Sequence, residues 1–192
     1  MKSLAQLPDG SAVFIDANIF VLAGSAGPIG EQVCSSLTAS SRGLSRVSPL
    51  HLSSQRSSTC RTLVRMQRAT SFTAAFVVAE VIHRVMVNEA RQQLQRSARE
   101  TVEYLQQNPA FVRRLSRHLT VASDIGKVGV DILPLAVNDL YASKAFRRDH
   151  GLLTNDSLIV AVMRNHKLRH LASHDGRFDR IPGLQLWNPG SG

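Results

Sequence analysis

The chain has 192 residues, 23 Lys plus Arg against 14 Asp plus Glu, a formal net charge of +9, two cysteines and 43% hydrophobic residues. That length fits one folded domain over 1–192, and no stretch approaches the roughly 18 consecutive apolar residues of a membrane-spanning helix. The opening MKSLAQLPDG lacks the apolar segment of a secretion signal, so a cytoplasmic setting with Cys34 and Cys60 as free thiols is expected. The basic excess points to a polyanionic partner without choosing between nucleic acid, an anionic membrane surface and an acidic protein.

Residues 12–15 (AVFI) follow the turn signal Pro8-Asp9-Gly10 and read as a short buried strand closed by Asp16. A helix is expected next, with Asp16 or Asn18 near its N-cap, soon interrupted by Gly24, Gly27, Pro28 and Gly30. Over 34–60 the composition changes: ten of 27 residues are Ser, three are Arg and none is acidic, which reads as a basic loop or insertion. A helix over 62–69 is expected after it, and a second strand near 70–72. The stretch 71–87 then carries apolar residues at 77, 78, 81, 82 and 85, one helical stripe with Thr73 as its hydroxyl cap. Glu80 interrupts that stripe's neighbourhood.

Between 88 and 118 two exposed helices are expected, broken at Asn108-Pro109 and carrying Arg91, Arg96, Arg99, Arg113, Arg114 and Arg117. Beyond them come a strand over 132–135, a helix over 137–148 closed by Gly151, a very apolar helix over 156–165, a strand over 169–173 and a last strand over 184–187. Short strands alternating with helices predict an α/β domain with a mainly parallel sheet.

In such a sheet ligands collect outside the carboxyl ends of the strands, which singles out Asp16 and Asp175. Glu80 lies about two turns into its helix. Asp156 sits in the first turn of a helix that is otherwise nearly all apolar, where a carboxylate is costly unless something offsets it. Carboxylates from separate segments that meet at one sheet edge suit Mg²⁺ or Mn²⁺, because hard cations prefer oxygen ligands. Each acid also has a structural reading: Asp16 as a cap, Asp156 as a first-turn residue, Glu80 as the i+4 partner of Arg84, and Asp175 as a turn residue.

The segments VFIDANIF (13–20), AFVVAEVIHRVM (75–86), GLLTNDSLIVAVM (151–163) and LASHDGRFDRIPGLQLW (171–187), in this order, resemble the PIN-domain ribonucleases, especially the VapC-like toxins of prokaryotic toxin–antitoxin pairs. The resemblance excepts roughly 34–60, where the family has a much shorter connection. It implies a Rossmann-like, three-layer α/β fold and a metal-dependent endoribonuclease whose acidic positions fall on Asp16, Glu80, Asp156 and Asp175. Asn18 and Ser173 would orient a carboxylate or a water, and Asp179 is a further candidate. His174 reads as a solvent-facing loop residue and His83 as a partly buried, non-ligating one.

The implied partners are an RNA substrate, a second copy of the chain in a homodimer, and a small antitoxin received by the helical region over 73–118. The implied chemistry is in-line hydrolysis that leaves a 5′-phosphate and a 3′-hydroxyl. Three other readings stay open: a haloacid-dehalogenase-type phosphatase, a catalytically idle PIN-like module that binds RNA or protein, and a DNA-directed nuclease. The first needs a second Asp where this chain has Asn18.

Overall fold

The computed structural model describes residues 2–24 and 69–188. The Ser-rich stretch 34–60, both cysteines and the helix expected over 62–69, up to its last residue, lie outside the described residues.

The chain opens with a short strand β1 (Lys2–Ser3) and a 3-10 turn (Leu4–Gln6), then strand β2 (Ala12–Ile15) and helix α1 (Ala17–Gly24). Strand β3 (Thr70–Ala74) leads without a break into helix α2 (Ala75–Leu94), followed by α3 (Ala98–Gln107), α4 (Pro109–Val112), a 3-10 turn (Arg117–Thr120) and α5 (Val121–Lys127). Strand β4 (Val130–Leu133), helices α6 (Val137–His150) and α7 (Thr154–Asn165), strand β5 (His170–Ala172), a 3-10 turn (Gly176–Arg180) and strand β6 (Gln185–Asn188) complete it.

All six strands are parallel, in the order β1-β6-β5-β2-β3-β4. From β2 the chain steps outward through β3 to β4, then crosses back through α6 and α7 to β5 on the other side of β2. Right-handed crossovers put the helices of these two excursions on opposite faces of the sheet, consistent with α1 packing on α2 and α6 packing on α7. The expected parallel α/β architecture is therefore present. Covered on both faces, β2 has no use for an alternating pattern: Val13, Phe14 and Ile15 are all fully buried. The apolar run of α7 has the same cause, since every residue from 157 to 163 is buried.

Several elements differ from the expectations set by sequence. Thr73 caps no helix. It is a buried residue of β3 whose hydroxyl donates to the Ile15 carbonyl at 2.9 Å, so strand pairing claims it first. Helix α2 runs on to Leu94 and ends with Gln95 in the left-handed region (φ 54). Beyond Gln95 the chain forms three short pieces rather than two exposed helices, and they enclose a second core of Val87, Ala90, Leu105, Phe111 and Leu115. Helix α3 opens on a capping box, Ser97 Oγ accepting from the Glu100 N–H and Glu100 Oε2 accepting from the Ser97 N–H. Strand β4 begins two residues before the expected run, directly after Gly129 at φ 77.

Candidate active site

The sheet order reverses at β2, whose neighbours are β3 and β5, and the crevice at such a switch point is where parallel α/β folds place ligands. Two strands deliver side chains there. Asp16 directly follows β2, its backbone N–H tied to the Ala172 carbonyl of β5 at 3.1 Å. Ser173, His174 and Asp175 directly follow β5.

Asp16 is 9% exposed and densely hydrogen-bonded. Its Oδ1 accepts from the Ala17 N–H at 2.6 Å; its Oδ2 accepts from Asn18 Nδ2 and from the Ser173 hydroxyl, each at 2.7 Å. Ser173, fully buried, in turn accepts from Asn18 Nδ2 and from the Asp175 N–H, each at 3.0 Å. The His174 N–H donates to Asn18 Oδ1 at 3.3 Å, so Asn18 and Ser173 lock the ends of β2 and β5 together around one carboxylate. Burial pushes the Asp16 carboxyl above the usual range; the Ser173 and Ala17 donors act against that, while Glu80 and Asp156 add repulsion.

Asp156 comes from the first turn of α7. Burial raises its carboxyl too, Arg177 works against the rise, and Asp175 and Glu80 reinforce it. Its Oδ2 is buried and accepts no hydrogen bond among the described residues. Glu80, on α2, is an ion-pair partner of Arg84 one turn on and accepts from Asn155 Nδ2 at 3.3 Å. Asp175 caps the 3-10 turn that follows it, accepting from the Arg177 N–H at 2.9 Å, and its fork to the Arg177 guanidinium holds its carboxyl below the usual range.

The four acids thus converge from four segments closely enough that Asp16 senses Glu80 and Asp156, and Asp156 senses Glu80 and Asp175. Their carboxylate oxygens, their mutual repulsion and an Asp156 Oδ2 that accepts no hydrogen bond among the described residues together suit a hard divalent cation. They do not stand as a closed cage: no group of three His, Cys, Asp or Glu among the described residues is arranged to hold a metal ion.

Asp179 sits apart, exposed on the 3-10 turn. His83 is exposed rather than partly buried, because it follows the apolar stripe of α2 onto the outer side. His174 is half-buried rather than solvent-facing. Its Nε2 is enclosed without a hydrogen bond among the described residues, and burial lowers its pKa. Two further residues of the site are not singled out by sequence: Asn155, beside Asp156, and Arg177, two residues past Asp175. The Asp-x-Arg spacing across a tight turn is the available signal for the latter.

No curated protein matches the chain. Three solved structures overlap it at low identity: VapBC2 from Rickettsia felis bound to a DNA fragment from its promoter (16% identity, 92% of this chain and 98% of that one, TM-score 0.48), a toxin–antitoxin complex from Klebsiella pneumoniae (16%, 94% and 98%, 0.44), and VapC20 from Mycobacterium tuberculosis, a sarcin–ricin-loop-cleaving toxin (14%, 87% and 92%, 0.45). The family pattern of the PIN domain matches residues 47–184, a stretch that contains Glu80, Asp156 and Asp175 and leaves Asp16 to its N-terminal side. With most of its length inside that match, the chain belongs to the PIN domain family.

Proposed function

We propose that the chain is a divalent-metal-dependent endoribonuclease, hydrolysing RNA phosphodiester bonds as the toxin of a toxin–antitoxin pair. The observation that carries this reading is the meeting of Asp16, Glu80, Asp156 and Asp175 at the switch point of a PIN domain. These four residues would hold Mg²⁺ or Mn²⁺. Bound there, the cation supplies Lewis-acid polarisation of the phosphate and acidifies a water.

The protein's own contribution is orientation and charge. Ser173, Asn18 and the Ala17 N–H fix both oxygens of Asp16, and Asn155 with Arg84 aims Glu80. The Ser173 hydroxyl donates to Asp16 and accepts from two further donors, which fits a positioning role. Attack by water then gives a 5′-phosphate and a 3′-hydroxyl. The net charge of +9 draws the RNA backbone in and makes binding weaken with salt.

The test is cleavage of defined RNAs beside matched DNA, with Mg²⁺ or with chelator, by the wild type and by Asp16→Asn. RNA cleavage that chelator abolishes and the substitution slows by about 100-fold or more supports the reading. RNA bound tightly but never cut would replace it with an idle binding module, and DNA cut in preference to RNA with a DNA-directed nuclease.

The same proposal includes a homodimer, a small antitoxin over 73–118, where α2, α3 and α4 lie, and a cytoplasmic setting. The homodimer is supported by Val137, Leu140 and Tyr141, exposed apolar residues on one face of α6, and by exposed Ile132 on the edge strand β4. Light scattering on the wild type and on Tyr141→Lys checks it: the wild type should run as a dimer and the variant as a monomer. No described helix is long and apolar enough to cross a membrane.

A further inference from the structure

The acids at the switch point already have a cation on them, and it belongs to the chain. Arg177 Nε donates to both oxygens of Asp175, at 3.0 and 2.9 Å, its Nη2 donates to Asp175 Oδ2, and its backbone N–H donates to Oδ1 at 2.9 Å. The same Nη2 lies 3.4 Å from Asp156 Oδ2, the oxygen that accepts no hydrogen bond among the described residues. One guanidinium nitrogen therefore faces two of the carboxylates, and Arg177 is also close enough to Asp16 to couple with it electrostatically. The other nearby cations are placed differently. Arg84 is engaged by Glu80, and Arg180 reaches the Gly151 carbonyl at 3.4 Å.

We propose that Arg177 is a displaceable counter-ion of this site. It holds Asp175 and Asp156 when no divalent cation is bound, and it must leave their oxygens for one to bind, so that it sets the concentration at which the site loads. This rests on the metal-dependent reading of the site. The competition is for lone pairs. A carboxylate offers about four acceptor positions, and Arg177 occupies both oxygens of Asp175 with three N–H groups, the Nε–H being shared between them, while its Nη2 shields Asp156 Oδ2. A hard cation needs those same oxygens. Departure is feasible because the Arg177 side chain is 49% exposed, and a solvent-accessible ion pair is held only weakly against its hydrated alternative.

The test is Mn²⁺ binding to the full chain by titration calorimetry, for the wild type, Arg177→Gln, Arg177→Lys and Arg180→Gln. Arg177→Gln should bind Mn²⁺ about tenfold or more tightly than the wild type. Arg177→Lys keeps the charge but cannot fork across a carboxylate, and should fall between them. Arg180→Gln should change affinity by less than about threefold, because it removes a charge from the neighbourhood without freeing an Asp175 or Asp156 oxygen. The lysine variant also covers the case in which Arg177→Gln fails to fold. Equal Mn²⁺ affinity in the wild type and the Arg177 variants overturns the proposal and leaves metal dependence standing. Equal tightening by Arg180→Gln also overturns it, since bulk charge would then be the cause. Failure of every protein to bind Mn²⁺ overturns both readings.

Discussion

Helix α2 carries one glutamate near each end, and the two live in opposite surroundings. Glu89, in the second core, is 6% exposed and accepts from the backbone N–H groups of Ser116 at 3.2 Å and Arg117 at 3.0 Å, where the 3-10 turn Arg117–Thr120 begins. Its carboxylate ties the start of that turn to α2. Glu80 instead faces the switch point, where it adds repulsion to Asp16 and Asp156. The helical region meets its buried acid with backbone donors, whereas at the edge of the sheet the donors on Asp16 and Asp175 are set against repulsion among neighbouring acids. The first arrangement favours folding. The second holds back stability that a bound cation would restore.

The contrast breaks most easily at the helical end. Phe111 is buried, meets Tyr104 edge to face at 5.5 Å between ring centroids, and lies under the Arg114 guanidinium at 4.8 Å. Phe111→Ala should cost about 3–5 kcal/mol in urea-induced unfolding and leave cleavage per folded molecule unchanged. A large fall in the activity of the folded fraction would show that the second core also shapes the cleft. Glu89→Ala should cost about 2 kcal/mol, because two backbone donors lose a charged acceptor. It too should leave the site alone.

Ser173→Ala tests the other end. The substitution removes a 2.7 Å hydrogen bond to Asp16 Oδ2 and the acceptor of the Asp175 N–H, for about 1–2 kcal/mol of stability. Unlike the helical substitutions it should lower the cleavage rate as well, since the Asp16 carboxylate loses a donor that favours its ionised form. Loss of stability with an unchanged rate would make Ser173 a purely structural link between β2 and β5.

The division between the two regions also decides what is legible in the sequence. At the sheet edge Asp16 closes a short apolar run and Asp175 follows the short strand expected over 169–173, so position marks both acids. The buried helix α7 makes Asp156 conspicuous for the same reason. Thr73 misleads because a hydroxyl ahead of a helical stripe resembles a cap; in the strand TSFTA, Ser71 and Thr73 are both buried, and only tertiary pairing shows which role is taken. The second core is not visible in an Arg- and Gln-rich stretch, since its five buried residues are spread over three helical pieces and a following turn and no single helix shows the face. Arg177 is one base among 23. Its importance comes from the 3-10 turn that folds it back over Asp175, a local geometry that composition does not encode.

The smallest effect is also the one of unusual sign. Asp156 has its carboxyl raised in the folded protein, with burial outweighing the Arg177 contribution and Asp175 and Glu80 adding to it. A carboxyl raised on folding binds its proton more tightly in the native state. Its unfavourable contribution is therefore absent below the unfolded value of about 3.9 and develops as pH rises through the folded value. Asp156→Asn removes the ionisable group while nearly preserving shape, so in the presence of chelator it should raise stability at pH 7 by about 0.5–1 kcal/mol, a Tm gain of a few degrees. The gain should shrink as the pH is lowered through the folded value and vanish below the unfolded one. Thermal melts of both proteins across that range measure it. A variant less stable than the wild type at pH 7 would mean that the ion pair with Arg177 outweighs burial and repulsion, and the sheet edge would then resemble the Glu89 region more closely than its geometry indicates.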